Sequence, residues 1–230
     1  VGLPVGHHVL VAADIGDEFI ARPYTPIHPV GTKDDHGQVE LLVKVYYDRK
    51  ERPGGIMSQF LDKLKIGDRV KIKGPAGHIH YLGNGVITVH STTIQVKKIS
   101  MIGGGTGITP LYQIAKSIVQ DPEDRTKVAL LYSNHTKEDI LLKDELDEMA
   151  NKHRRFTVHY TLTGDCDLDR DDDPSRYSFG FVNETKIRKY LYAPADDSVV
   201  LLCGPPAMID HACIPHLQRL GFNESTIFEF

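Results

Sequence analysis

Ile99-Ser100-Met101-Ile102-Gly103-Gly104-Gly105-Thr106-Gly107-Ile108-Thr109-Pro110 decides the fold. A short apolar run meets a glycine cluster, and beyond it apolar residues at helical spacing predict a helix from about Pro110 to Val119. Glycines let a backbone approach a diphosphate closely, and the helix start behind them offers free N–H groups and the positive end of a dipole. The spacing is not G-x-G-x-x-G, and no Gly-Lys-Ser/Thr follows, so a P-loop is excluded. Taken alone, the cluster fits a tight βα turn without a ligand equally well.

Downstream the alternation continues. Val128–Tyr132 reads as a strand, and Glu138–Ala150 as a helix with Thr136 and Asp139 spaced as a capping box. Phe156–Leu162, Ile187–Leu191, Ser198–Cys203 and Ala207–Leu220 follow, and Thr226–Phe230 closes as a strand. Alternating elements imply a parallel sheet with helices on both faces. Upstream the rhythm is different. Val9–Ala12, Glu18–Ala21, the β-branched and aromatic run Val39–Tyr47 and the alternating Arg69–Lys73 predict short strands, with one short helix over Met57–Leu64. The expected architecture is an antiparallel β-barrel domain at residues 1–90, a linker at 91–97 and an α/β parallel-sheet, Rossmann-like domain at 98–230. There is no internal repeat.

Composition sets the outer bounds. The chain has 230 residues, 40% hydrophobic and 25% charged, which is ordinary globular material and excludes disorder and collagen. No apolar run approaches the roughly 20 residues that a membrane span requires. A net charge of −4 and a pI near 6.3 argue against a nucleic-acid footprint. Cys166, Cys203 and Cys213 are too few and scattered for a disulfide scaffold, so reduced thiols and a cytoplasmic location are expected. The abrupt start at Val1, without a leader pattern, suggests a piece of something longer.

Three further clusters carry chemistry. Arg22-Pro23-Tyr24-Thr25-Pro26 supplies a cation for phosphate, an aromatic face and a hydroxyl, although as an isolated string it also fits a strand end with a solvated arginine. Gly54-Gly55-Ile56-Met57-Ser58 opens a helix and is another possible anion seat. Cys203-Gly204-Pro205-Pro206 ends a strand, the edge where open α/β sheets bind ligands, although a lone cysteine there is more often a small buried hydrophobe. No metal set is expected. The aspartates from Asp165 to Asp171 imitate a calcium loop, but Arg170 stands at its sixth position and Arg176 at its twelfth. His7-His8 and His78-Ile79-His80 lack the further ligands of a zinc site.

In order, RPYT, GGIMS, GGGTGITP, CGPP and the terminal Phe-Glu-Phe resemble the cytochrome b5 reductase branch of the ferredoxin–NADP reductase superfamily over essentially the whole chain. Leu42–Tyr46, Gly74–Gly77, Asp139–Leu142 and Gly180–Asn183 belong to the same likeness. Within that branch the sequence is most similar to the C-terminal flavin fragments of assimilatory nitrate reductases, through Gly2–Gly6, the MSQFL helix and Pro205–Ile209. Family members carry a strand before the stretch that begins here, so the barrel is expected to lack its opening strand.

The resemblance implies an FAD-dependent oxidoreductase that takes hydride from NADH and passes electrons singly to a cytochrome b-type haem. That haem domain would lie in the same full-length polypeptide and serve nitrate reduction. A free-standing or membrane-tethered cytochrome b5 reductase is the alternative; a non-catalytic nucleotide-binding regulatory module is the rival of another class. By matched position, Arg22 pairs with the FAD diphosphate, with Pro23 beside it. Tyr24 lies against the flavin, and Thr25 reaches flavin N5. Val43, Lys44, Val45 and Tyr46 edge the ring, Gly55, Ile56, Met57 and Ser58 receive the diphosphate, and Thr106 and Thr109 also approach FAD. For NADH the implied residues are Gly104, Gly105, Thr106, Gly107, Ser133, Asn134, Cys203, Gly204, Pro205 and Met208, with Cys203 positioning the nicotinamide. One position departs from the family. Where cytochrome b5 reductases commonly carry an acid that repels a 2′-phosphate, this chain has Arg176, so measurable NADPH activity is expected beside NADH, the main donor that the likeness to nitrate reductases implies. The opposing possibility is that Arg176 pairs with the neighbouring aspartates 171–173.

Overall fold

The computed structural model describes residues 2–28, 37–48, 50, 53–164, 168 and 172–230. Its first half opens with β1 (His8–Ile15) and β2 (Glu18–Tyr24), a hairpin turned at Gly16 and Asp17. A short helix α1 (Ile56–Asp62) follows, and β3 (Lys71–Ala76) then pairs antiparallel on the other side of β1. β4 (Ile79–Gly83), β5 (Val86–Val89) and β6 (Thr92–Gln95) form a second antiparallel sheet. The antiparallel first half is therefore as expected, with two differences. The run Val39–Tyr47 forms no ladder among the described residues beyond the single bridge from Pro26 to Leu41. Residues 91–97, expected as a linker, hold β6.

The second half is one parallel sheet. β7 (Lys98–Gly104) leads through a 3-10 turn at Gly105–Gly107 into α2 (Ile108–Gln120), and β8 (Lys127–Asn134), α3 (Lys143–Lys152) and β9 (Phe156–Leu162) continue. Then come β10 (Tyr177–Phe179), α4 (Glu184–Tyr190) and β11 (Ser198–Cys203). The last helix runs from α5 (Pro206–Met208) through a π turn into α6 (Ile214–Arg219), before β12 (Ile227–Glu229). The strand order is β10-β9-β8-β7-β11-β12 and every pairing is parallel. The order reverses between β7 and β11, and ligands bind such sheets at the carboxyl edge of that switch point.

One expected helix begins late. The apolar run Ile140, Leu141 and Leu142 packs into the main core instead of forming the first helical turn, and Leu142 adopts a left-handed φ of 57°. The predicted capping pair does form, with the Thr136 N–H donating to Asp139 Oδ2 at 3.1 Å, but it closes a turn ahead of α3. The sheet buries both faces. One core joins α2 and α3 to β4 and β5 through Ile79, Tyr81, Ile87, Ile114 and Ile118, so the two halves share apolar interior. The other face packs Val200, Leu202, Ile209 and Leu217.

Candidate functional site

At the switch point the β7–α2 loop and the β11–α5 loop lie against each other. Cys203 is in register with Gly103, and a Cβ on Gly107 would stand 2.2 Å from the Cys203 carbonyl oxygen. Gly105 has φ +53°, a conformation side chains rarely accept. The glycines are thus demanded by close backbone packing as well as by any phosphate. The buried Tyr132 fixes the loop, its hydroxyl donating to the Gly105 carbonyl at 2.8 Å.

Two clefts flank this point. The first cleft, about 690 Å³ and on the side expected to take the flavin (the flavin-side cleft), draws Arg22, Tyr24 and Thr25 from β2 and its end, Lys44 and Tyr46 from the extended segment, and Met57 and Ser58 from α1. From the other half it receives Gly104–Gly107, Thr109 and Cys203–Pro205. The second cleft, about 840 Å³, is lined by Ser133, Asn134, Asp139, Phe181, Pro205 and Met208 among others. Lys44, Gly104, Gly105 and Pro205 line both, so the clefts meet there. Both volumes lie in the range of roughly 300–1,000 Å³ usual for ligand pockets.

Most expected residues therefore converge. Pro23, Gly55, Ile56 and Thr106 also line the flavin-side cleft. Val43 and Val45 do not: in an extended segment side chains alternate, so Leu42, Lys44 and Tyr46 take the cleft face and the two valines point away. Arg176 lines neither cleft. Its guanidinium lies 3.0 Å from Asp147 and 3.7 Å from Asp173, and donates to Asn151 at 2.5 Å, which ties it to α3. Cys166 and most of the acidic 165–171 loop lie outside the described residues; among those described, no cluster of metal-ligating side chains occurs.

Electrostatics sharpen the picture. Lys44 Nζ stands 2.7 Å from Asp139 Oδ1, a bridge between the halves at the junction of the clefts, and it holds the Asp139 carboxyl below the ordinary aspartate range. Burial pushes the Cys203 thiol up to about 12, with Glu229 adding repulsion, which favours the neutral thiol. The Asn134 side chain is buried against the second cleft with neither amide atom hydrogen-bonded. A buried amide left unpaired is costly, which suits a site whose ligand supplies the partners.

Phe181 and Lys186 went unmarked as site residues in the sequence. Phe181 is 76% exposed on the wall of the second cleft, a large aromatic face left for a flat ring. Beneath it the buried Lys186 ammonium shares its three N–H groups among four acceptors, Thr161 Oγ1, Gly180 O and Phe181 O at 2.7 Å each and Phe179 O at 2.9 Å. Nothing local marks Lys186, because its acceptors come from a turn and a strand that only the fold assembles. Phe181 had a signal, in the Gly180–Asn183 run.

Comparison with known proteins decides the family. A profile described as an oxidoreductase FAD-binding domain matches residues 1–81, and one described as an oxidoreductase NAD-binding domain matches 101–214. The chain is 41% identical over 240 residues to NADH-cytochrome b5 reductase 3 of Mus musculus, covering 100% of this chain and 77% of that one. The chain belongs to the cytochrome b5 reductase family. Nitrate reductase [NADH] 1 of Phaseolus vulgaris is 44% identical over 227 residues, 97% of this chain but 25% of that protein. The chain thus spans about a quarter of the nitrate reductases it matches. Among solved structures, the cytochrome b5 reductase domain of Ulva prolifera nitrate reductase aligns with a TM-score of 0.90 at 38% identity, over 99% of this chain and 85% of that one. Like other members of this family, the chain is an oxidoreductase with FAD and a nicotinamide nucleotide as cofactors. The residues present fit both: a cation and an uncapped helix start in one cleft, a glycine loop at their junction, and an orphaned amide in the other.

Proposed function

We propose that the chain carries electrons from NADH through FAD to a cytochrome b-type haem, and that in a longer polypeptide this transfer supplies nitrate reduction. The observation that carries the proposal is the junction of the clefts at Gly104, Gly105 and Pro205, across which a flavin in one and a nicotinamide in the other would face each other. FAD held there would supply the chemistry that converts a two-electron hydride donor into single-electron transfers. Everything else is orientation and exclusion of water by the protein.

Arg22 and the start of α1 would hold the FAD diphosphate, Tyr24 would lie against the ring system, and the buried Thr25 would offer its hydroxyl to flavin N5. Gly104 and Gly105, which line both clefts, would receive the NADH diphosphate ahead of α2. Asn134 bonds the nucleotide through its free amide, and Phe181 stacks on the adenine. Cys203 acts by shape, as the neutral wall that holds the nicotinamide against the flavin. NADH is the donor, since Arg176 is spent on α3 and not on a cleft.

The extent of the match to the mouse enzyme supports a second reading, a separate cytochrome b5 reductase. A cytoplasmic location goes with either, and no helix among the described residues is long and apolar enough to cross a membrane. Stopped-flow reduction by NADH tests the site. Cys203→Ser and Cys203→Ala should keep FAD and reduce the flavin more slowly, and an undiminished rate would rule out the role of Cys203. Steady-state transfer to oxidised cytochrome b5 tests the acceptor class, and no haem reduction by a competent flavoprotein would sink that part.

A further inference from the structure

Beside its apolar contacts with β4 and β5, helix α2 meets the flavin half along a polar stripe. Thr109, Gln113 and Lys116 stand at i, i+4 and i+7, which places them on a single face. Thr109 lines the flavin-side cleft, and Lys116 Nζ reaches His28 Nδ1 at 3.0 Å on the surface. Between them Gln113 is 6% exposed. Its Oε1 accepts the Gly6 N–H at 2.6 Å and its Nε2 donates to the Pro26 carbonyl at 3.0 Å. The partners fix the orientation of the amide, because one is an obligate donor and the other an obligate acceptor.

Pro26 is where the flavin-side walls part company. Thr25 precedes it directly, and its bridge to Leu41 starts the segment that brings Leu42, Lys44 and Tyr46 to the cleft. At the other end of the helix, α2 leaves the glycine loop at the junction of the clefts. One side chain therefore connects the backbone node of the flavin wall to the rigid rod that carries the nucleotide loop. A buried amide is a poor choice for packing alone, since each end must find a partner.

We propose that Gln113 is a positioning residue for hydride transfer: it sets the spacing between the Thr25 wall and the nucleotide loop, and so between the two reacting rings. The proposal rests on the reading of the clefts as flavin and nicotinamide sites. The Tyr81–Asp124 hydrogen bond and the Asn84 N–H to Asp124 contact at 2.9 Å also cross between the halves, but at a turn remote in sequence from the cleft walls. They hold the halves together without fixing the site.

Gln113→Met keeps length and bulk while removing both bonds. The variant should retain FAD and bind NADH as the parent does, while flavin reduction slows by about tenfold or more, the scale of a sub-ångström misplacement. The primary isotope effect with NADH deuterated at the transferred C4 position should rise. Gln113→Asn, one methylene too short to reach both partners, should behave alike and carries the test if the methionine variant fails to fold. A parent-like rate and isotope effect with only a lowered Tm would overturn the proposal, leaving Gln113 a structural residue. A parent protein whose flavin NADH does not reduce would overturn the underlying reading instead, whatever the variants do.

Discussion

In the nucleotide half, the glycine loop, Asn134 and Cys203 all stand at ends of strands that are paired on both sides: β7 between β8 and β11, β8 between β7 and β9, and β11 between β7 and β12. In the flavin half, the wall from Leu42 to Tyr46 has no ladder among the described residues beyond one bridge, and β3 runs almost wholly exposed. The flavin half's separate core is small, built on Val9, Val11, Ala13, Ile20 and Met57. Ile56 and Tyr46, which line the flavin-side cleft, are 51% and 47% exposed. The nucleotide site is shaped by its sheet before any ligand arrives. The flavin half has the weaker scaffold of the two, so its stability is expected to depend more on FAD.

Removing FAD should therefore have the largest effect, and an uneven one. With free FAD at a thousand times its Kd, binding adds about 4 kcal/mol to stability. In the apoprotein, hydrogen exchange should accelerate across β1–β3 and α1 while β7, β8 and β11 keep their protection. Equal acceleration in both halves would break the contrast. Arg22→Ala comes next. A charge-assisted contact to phosphate is worth roughly 1.5–3 kcal/mol, or about 10- to 100-fold in affinity. The variant should purify partly free of FAD and regain activity in excess flavin; full occupancy at high dilution would contradict this.

The Lys44–Asp139 bridge sharpens the comparison at the junction of the halves. The pair is partly buried, with side chains 27% and 30% exposed, and should contribute about 1 kcal/mol. Asp139 titrates lower folded than unfolded, so this stability is fully present above the unfolded value of about 3.9 and is lost as pH falls through the folded one. Asp139→Asn should flatten that part of the acid-unfolding curve, and an identical curve would remove the bridge from the account. Arg176→Asp should matter least. The preference for NADH over NADPH should stay as in the parent, with a small loss of thermal stability from the broken contact to Asp147. A large change in NADPH turnover would place Arg176 in the cleft after all.

The same contrast explains what could be read in advance. β9 and β11 run from end to end as expected, and the glycine loop sits where a βα turn was expected, because paired, buried strands leave strong local patterns. Val39–Tyr47 has strand composition but no ladder among the described residues, since pairing depends on distant partners. Val43 and Val45 lie in the same extended segment as Lys44 and Tyr46, yet which alternate residues face a cleft is set by how the segment lies against its neighbours. Leu142 ends its run in a left-handed turn because the core takes three apolar residues that also fit a helix. Arg176 is tethered through α3, a contact made by adjacency in the fold and invisible to spacing.

Lys186 has a consequence for the chemistry of ions. Its ammonium sits among three main-chain carbonyls and a hydroxyl, the kind of oxygen shell in which channel filters hold a dehydrated potassium ion. The turn that presents Phe181 is in effect a monovalent-cation loop whose cation is covalently attached. Shortening that side chain to alanine would detach the cation and leave the shell, so the turn would then have to take potassium or ammonium from solution. Nucleotide binding by Lys186→Ala should then respond to potassium, and binding unmoved by it would refute this.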